Sequence, residues 1–452
     1  MTIQPLFTPP AAEIRKALDI LPEVLQTVRP LTRSQQRSLP EDIFRLSRLL
    51  TTERRELTQP YWSSPALISA YCYYFFPWNL VRLAWLLPNL PLPPIPALAT
   101  GACGWLVDMG SGPLTLPTAL WLARPELRGA NIRVFAQDAA RQPLALGQRL
   151  FEALADALGQ RAWHTVIQQG PLDGGARAAV HRMGNDDRLW LVSAANVLNE
   201  YCQGRKAGRR GRGAYEEDGE DDVQSALELR LEGFLEQLVM LLRRNEGAAL
   251  LCIEPGTRLG GKIVMLARRL LRAQGLHPLS PCTHNGACPL EGGRSWCHFT
   301  FAAQAAPKWL VELSAKAGLG KDALSLAPLL VAEDDSRGVD RNASCHARIV
   351  STPFAVPGLR GRARYGCTNR GLVLLEDVAN VPSGAAQTIA IPADARRDGK
   401  SGALIVPAAD RSGTGGQPPV ATRHARQARQ TRPGAKNTGR KQDHSHKGPR
   451  KP

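Results

Sequence analysis

The sequence predicts an α/β protein in which a parallel sheet carries the chemistry, and three observations predict it. An apolar run, Trp105 to Val107, ends in Asp108 and passes through Gly110, Ser111, Gly112 and Pro113 into the apolar segment Leu114 to Ala123. Apolar runs of strand length then alternate with segments of helical periodicity as far as about residue 275. A second acid, Asp138, closes the next strand thirty residues after the first. In a doubly wound sheet, acids at successive strand ends are placed to hold a nucleoside, one beside the glycine turn and one at the ribose.

Taken in order, residues 1–100 predict a helical region, from the apolar spacing in Ala11 to Val28 and Glu41 to Leu50. Its aromatic cluster, Tyr71, Tyr73, Tyr74, Phe75, Phe76 and Trp78, reads as a buried seam more than as a platform for stacking bases. The most apolar stretch, Ala66 to Ala99, is interrupted by Pro77, Asn79, Arg82, Pro88 and Asn89, so no membrane-spanning helix is expected. The N-terminus lacks the pattern of a secretory signal, and a cytoplasmic protein is expected.

The core is expected over residues 101–275. The glycine turn ends the first strand, with a helix after Pro117, and Asn131 to Ala140 predicts the second strand, with the helix Leu144 to Leu154 after it. Arg161 to Gly170 is a weaker third strand and Arg188 to Tyr201 a good fourth. Behind that fourth strand, Asn199 and Glu200 either orient or deprotonate an acceptor or cap the next helix. Residues 203–222 switch from basic to acidic and predict a flexible insertion, with Arg205, Lys206, Arg209, Arg210 and Arg212 either contacting RNA or neutralised by the acidic half. A helix from Ser225 to Asn245 leads to a fifth strand ending at Glu254 and Pro255, and another helix spans Lys262 to Gln274.

Charge is uneven. Residues 381–452 carry +10 of the net +17, and their Gly, Pro, Gln, Arg and Lys content predicts a disordered basic tail. Such a tail either binds nucleic-acid phosphates without sequence readout or only solvates the chain.

Nine cysteines in a reducing compartment argue against a disulfide framework and toward metal or redox chemistry where they cluster. Cys282, Cys288 and Cys297 lie within sixteen residues, with His284 and His298 between and beside them. A metal centre is expected there, its fourth ligand either Cys345 or Cys367. Cys72, Cys103, Cys202 and Cys252 sit in or beside apolar segments and read as core residues.

The turn Asp108 to Pro113, D-x-G-x-G-P, resembles the first motif of class I S-adenosylmethionine-dependent methyltransferases. Together with Val197 to Glu200, Ile253 to Gly256, the two cysteine segments, Ala347 to Pro353 and Gly366 to Gly371, it resembles the methyltransferase-like family associated with the small ribosomal subunit in bacteria and mitochondria. The resemblance spans about residues 60–380. It implies a Rossmann-like class I methyltransferase fold with an N-terminal helical region, a Cys-rich metal-binding extension at 276–380 and the basic tail. It also implies S-adenosylmethionine held by Asp108, Gly110, Ser111, Gly112 and Asp138, with Asn199 and Glu200 on the acceptor side. The implied partners are the small subunit and its rRNA, in RNA methylation or ribosome biogenesis. The alternative is a non-catalytic assembly or RNA-binding factor that keeps the fold. Ser193 to Asn196 stand where amino-group methyltransferases carry an N-P-P-Y type motif, so methylation of an exocyclic amine gains no support.

Carried over from the same family, Cys282, Cys288, Cys297 and Cys367 would bind a structural [4Fe-4S] cluster. Thiolates suit zinc as well. The spacing x5, x8 and x69 lacks the paired C-x2-C knuckles of zinc ribbons and agrees with the family pattern. The chain departs from the family at Tyr61 to Tyr71, which lacks the arginine of a Y-x-x-R-x-P stretch, and in its insertion and tail.

Overall fold

The parallel strands predicted around the glycine turn are the centre of the computed structural model, which describes residues 3–51, 61–203, 220–334 and 345–407. In chain order, β1 (Ile3–Gln4) is followed by helices α1 (Ala12–Asp19), α2 (Leu21–Val28), α3 (Arg33–Thr51) and α4 (Pro65–Ala70). A π-helical turn, Tyr71–Phe75, leads into α5 (Phe76–Leu86). The core then runs β2 (Gly104–Met109), α6 (Thr115–Ala123), β3 (Ile132–Asp138), α7 (Arg141–Ala157), β4 (His164–Gln169), α8 (Gly175–Arg182), β5 (Arg188–Ala195) and α9 (Leu198–Gln203). It continues through α10 (Glu220–Leu242), β6 (Ala249–Pro255), α11 (Arg258–Ala273), β7 (His277–Ser280), β8 (Phe299–Ala302), α12 (Lys308–Lys316) and β9 (Ala323–Ala332).

These strands form one sheet in the order β4-β3-β2-β5-β6-β9-β7, with β8 also paired to β9. The first five are mutually parallel, and β9 enters antiparallel between β6 and β7. Burial on both faces explains why β2 and β6 read as apolar runs rather than alternating, each broken only by one acid near its carboxyl end, Asp108 and Glu254. Within β2, Leu106 packs with the N-terminal helices, α6 and α7, whereas Trp105, Val107 and Met109 pack with α8 to α11.

A second sheet follows, built from β10 (His346–Ile349), β11 (Phe354–Ala355), β12 (Arg362–Thr368), β13 (Gly371–Leu375), β14 (Ala386–Thr388) and β15 (Leu404–Val406). Its order is β1-β14-β10-β12-β13-β15, with β11 on β12. The first strand of the chain is thus paired to one of its last, Ile3 opposite Gln387.

Several expectations are corrected. The helix after the glycine turn starts at Thr115, with Pro117 inside its first turn, where a missing N–H costs nothing. The fourth strand stops at Ala195, and Leu198–Gln203 is helical because the backbone turns at Asn196, whose φ is +58°. Composition predicts disorder from residue 381, but β14 and β15 are ordered, since short apolar runs inside a basic stretch still find sheet partners. Residues 408–452 lie outside the described residues. So do 204–219, which hold the five basic residues of the expected insertion, while Glu220 already begins α10.

The aromatic cluster divides. Tyr73, Tyr74, Phe76 and Trp78 are buried as the seam predicted, whereas Tyr71 and Phe75 remain half-buried. Among the described residues no helix is long and apolar enough to cross a membrane.

Candidate functional site

The carboxyl ends of β2 and β5 lie side by side where the strand order reverses, the place at which open α/β sheets bind ligands. The glycine turn leaves β2 there. Gly110 has φ +71°, and a Cβ on it would come within 2.3 Å of Val197 Cγ2, so only glycine fits. Gly112 has φ +52°, with nothing within 4 Å of where a Cβ would stand, so this side of the turn is open. Leu114 at φ +55° and Asn196 at φ +58° are non-glycine residues in the left-handed region, one after each strand end. Strain of this kind concentrates where a backbone is shaped for a ligand.

The two acids do different work. Asp138 braces the turn: Gly112 N–H donates to its Oδ2 at 3.0 Å and Ala140 N–H to its Oδ1 at 3.0 Å. Ser111 N–H donates to the Gln137 carbonyl at 2.9 Å, fixing the same turn to the end of β3. Burial raises the Asp138 pKa although these backbone amides pull it down. Asp108 is only 1% exposed, and the Ser193 hydroxyl donates to its Oδ1 at 2.6 Å. Burial pushes Asp108 up to about 6, opposed by the nearby hydroxyl of Ser111 and the hydrogen bond from Ser193 and reinforced by the charge of Asp138.

Across the switch point, Asn196 N–H donates to the Ile253 carbonyl at 2.7 Å, and Leu198 N–H donates to Glu254 Oε1 at 2.8 Å. The fully buried Glu254 therefore accepts from the first turn of α9 and fixes the helix that carries half-buried Asn199 and exposed Glu200. Sequence reasoning gave Glu254 no part in positioning; its signal was an acid ending a fully apolar strand.

Tyr61 and Tyr71 were also missed as neighbours of these acids. Their rings stack with centroids 5.9 Å apart, and Phe75 stacks on Tyr71 at 5.8 Å. Burial raises both phenol pKa values, and the nearby charges of Glu200 and Asp138 raise them further. The π-helical turn thus sets an aromatic wall against the same edge of the sheet.

A second site lies between α11 and the two sheets. Cys282, Cys288, Cys297 and Cys367 line one pocket with Arg268 and Arg348. Arg268, 4% exposed, donates from Nε to Cys282 Sγ at 3.1 Å and from Nη2 to the carbonyls of His284 and Gly286 at 3.2 and 2.7 Å. Arg348 donates to the carbonyls of Pro281 and Gly384, both at 2.6 Å. His284 Nε2 lies 3.4 Å from Cys367 Sγ. Burial raises the thiol pKa values of Cys288, Cys297 and Cys367, and the neighbouring thiolates raise them further.

Cys345 stands apart from this pocket, against Asn369, and His298 is turned to the Trp296 carbonyl. Among the described residues no group of three or more His, Cys, Asp or Glu is gathered to hold a metal ion. The four thiols line the pocket without forming such a group. Soft thiolates set among arginines nonetheless suit a multinuclear sulfide cluster as a donor set.

Five parallel strands, an antiparallel strand inserted before the last, and a glycine turn at the switch point define a Rossmann-like class I methyltransferase fold. The chain is similar over residues 229–318 to the family described as mitochondrial small ribosomal subunit Rsm22, a stretch that contains α11 and three of the four pocket cysteines. No curated protein matches the chain. Among solved structures it is similar to the human methyltransferase 10 domain containing protein, at 9% identity over 57% of this chain and 81% of that one, with a TM-score of 0.25. It is also similar to precorrin-6y C5,15-methyltransferase from Geobacter metallireducens, at 12% identity over 54% and 82%, with a TM-score of 0.26. A third is a Listeria monocytogenes protein described as a class I S-adenosylmethionine-dependent methyltransferase, at 12% over 72% and 89%, with a TM-score of 0.26.

Proposed function

We propose that this chain is an S-adenosylmethionine-dependent methyltransferase-like protein of the small ribosomal subunit, acting on its rRNA. The observation that carries the reading is the glycine turn at the switch point, open at Gly112 and braced by Asp138. When bound, S-adenosylmethionine supplies an electrophilic methyl group. For their part, Gly110, Ser111 and Gly112 offer a close backbone approach, and Asp138 holds that turn in register while remaining available to hydroxyl groups. Buried Asp108 supplies negative charge beneath the turn, which favours a cationic ligand above it. Asn199 and Glu200 are fixed on the acceptor side through Glu254. Methyl transfer of this kind needs mainly alignment, with a base only where the acceptor carries a proton.

Calorimetric titration with S-adenosylmethionine, paired with transfer of labelled methyl groups to small-subunit RNA, tests the reading. Binding that is lost in Asp138→Ala while the fold persists is expected. A wild-type chain that binds no S-adenosylmethionine overturns it. A second reading, a non-catalytic assembly or RNA-binding factor, is favoured by the end of β5, Ser193 to Asn196, which offers no amine-methylation motif. Cofactor binding without methyl transfer is its signature.

The same proposal gives Cys282, Cys288, Cys297 and Cys367 a structural [4Fe-4S] cluster, with zinc as the alternative metal. Such a group would tie β12 to the loop after β7 and would neutralise thiols that otherwise repel one another as thiolates. A reducing, cytoplasmic setting goes with it, because thiolate ligands must stay reduced. Iron and sulfide analysis of anaerobically purified protein decides between cluster and zinc.

A further inference from the structure

The carboxyl edge of the sheet carries a second group of side chains that the cofactor reading does not use. Tyr74, Trp78 and Arg82 follow one another at intervals of four, so they share a stripe along the π-turn and α5. Lys321 lies across that stripe, its Nζ 5.6 Å from the Tyr74 ring centroid and 5.8 Å from that of Trp78. Both rings are held from below: the Tyr74 hydroxyl donates to the Leu319 carbonyl at 3.1 Å, and Trp78 Nε1–H donates to Ser314 Oγ at 3.0 Å. The loop bearing Lys321 is thus fixed to the stripe that bears Arg82.

Topology sets this group beside the methyltransferase-type site. β9 is antiparallel to β6, with Leu326 opposite Pro255, so its start lies at the edge where the parallel strands end. Lys321 is two residues before β9. On the other side, Arg82 Nη1 donates to Asn79 Oδ1 at 2.6 Å, and Asn79 lies beside Tyr71, the ring near the charges of Asp138 and Glu200.

Two half-buried cations stand together here, and among the described residues neither has a carboxylate partner. Burial lowers the pKa of each, Lys321 to about 8, and the Arg82 charge adds to the effect on Lys321. Neighbouring like charges held in a partly dry place are relieved by an anion. Tyr61, Tyr71 and Phe75, stacked on one another, flank the group.

We propose that Arg82, Lys321 and Asn79 form a subsite for a backbone phosphodiester of single-stranded RNA, placing an adjacent base toward the edge that holds the glycine turn. This rests on the RNA-directed reading above. The full-length chain, Arg82→Gln, Lys321→Gln and the double variant are titrated with a labelled ten-nucleotide single-stranded RNA at several salt concentrations, and separately with S-adenosylmethionine and inorganic phosphate. About ten-fold weaker RNA binding is expected in the double variant, with a log-log salt slope shallower by about 0.7, the value for one single-strand phosphate. Unchanged S-adenosylmethionine affinity is expected as well. The exchange Arg82→Lys with Lys321→Arg should retain RNA binding within about two-fold.

Independently of any variant, bound RNA should protect Lys321 of the unaltered chain from acetylation, read by mass spectrometry. Unchanged RNA affinity and slope in the double variant, or an unprotected Lys321, overturns the subsite and leaves the RNA reading standing. Loss of S-adenosylmethionine binding with RNA binding intact also overturns it, because the pair would then serve the cofactor. Equal protection by inorganic phosphate at matched concentration overturns the assignment to RNA. If the wild-type chain binds no RNA, the subsite and the RNA-directed reading both fall.

Discussion

Replacing Asp108 by asparagine should make the protein more stable at neutral pH, and the size of the effect follows from burial. Asp108 is 1% exposed and its pKa rises from 3.8 to about 6. The folded state therefore binds the proton more tightly than the unfolded chain, so stability is highest at low pH and falls as pH rises from about 4 to about 6. A rise of about two units corresponds to about 3 kcal/mol lost once the group is ionised. The asparagine side chain carries no such charge and retains an oxygen that can accept from the Ser193 hydroxyl. Urea denaturation of wild type and Asp108→Asn at pH 4, 5, 6 and 7.5 measures the difference. The curves should coincide near pH 4 and separate to about 3 kcal/mol in favour of the variant at pH 7.5. A difference that is constant across the range refutes the reasoning, since it would mean that Asp108 ionises as readily in the folded state as in the unfolded one.

Other perturbations bear on the two sites. Gly110→Ala combines a left-handed backbone with a Cβ 2.3 Å from Val197 Cγ2, and should cost about 2 to 4 kcal/mol in a denaturant titration together with most S-adenosylmethionine binding. On the proposed cluster assignment, Cys367→Ser should weaken any visible absorption band of anaerobically purified protein and reduce its iron content, whereas Cys345→Ser, outside the pocket, should leave both unchanged. Arg268→Leu removes the donors to the His284 and Gly286 carbonyls and to Cys282, so stability should drop by about 3 kcal/mol in the same denaturation assay.

Much of the core was legible because its signals are local. An apolar run ending in an acid and two glycines constrains backbone geometry within a few residues, and the five parallel strands followed from alternation of period and length. What the sequence concealed was non-local. Tyr71 and Tyr74 are three residues apart, yet one is half-buried near the charges of Asp138 and Glu200 and the other is buried against Leu319; both lie in a π-helical turn, which no periodicity announces. Glu254 resembled any acid at a strand end, and only the register of β5 beside β6 brings it to the start of α9. The basic average of residues 381–452 masked β14 and β15, because three apolar residues suffice to extend a sheet that already exists. Cys345 and Cys367 were both candidates by residue type, and they differ in the structure because only β12 carries its cysteine to the pocket beside α11.

The pairing of β1 with β14 and the late arrival of Cys367 also impose an order on biosynthesis. The first strand must wait until Ala386 and Gln387 have been made before it can pair with them. Cys282, Cys288 and Cys297 emerge together, whereas Cys367 follows Cys297 by 70 residues, about 4 to 14 s at ordinary elongation rates of about 5 to 20 residues per second. During that interval the nascent chain has three of the four pocket thiols and lacks the last. On the proposed cluster assignment, metal or sulfide delivered before translation reaches β12 would meet an incomplete set of ligands, so a chain paused between residues 297 and 367 would be the species most exposed to oxidation and to the wrong metal.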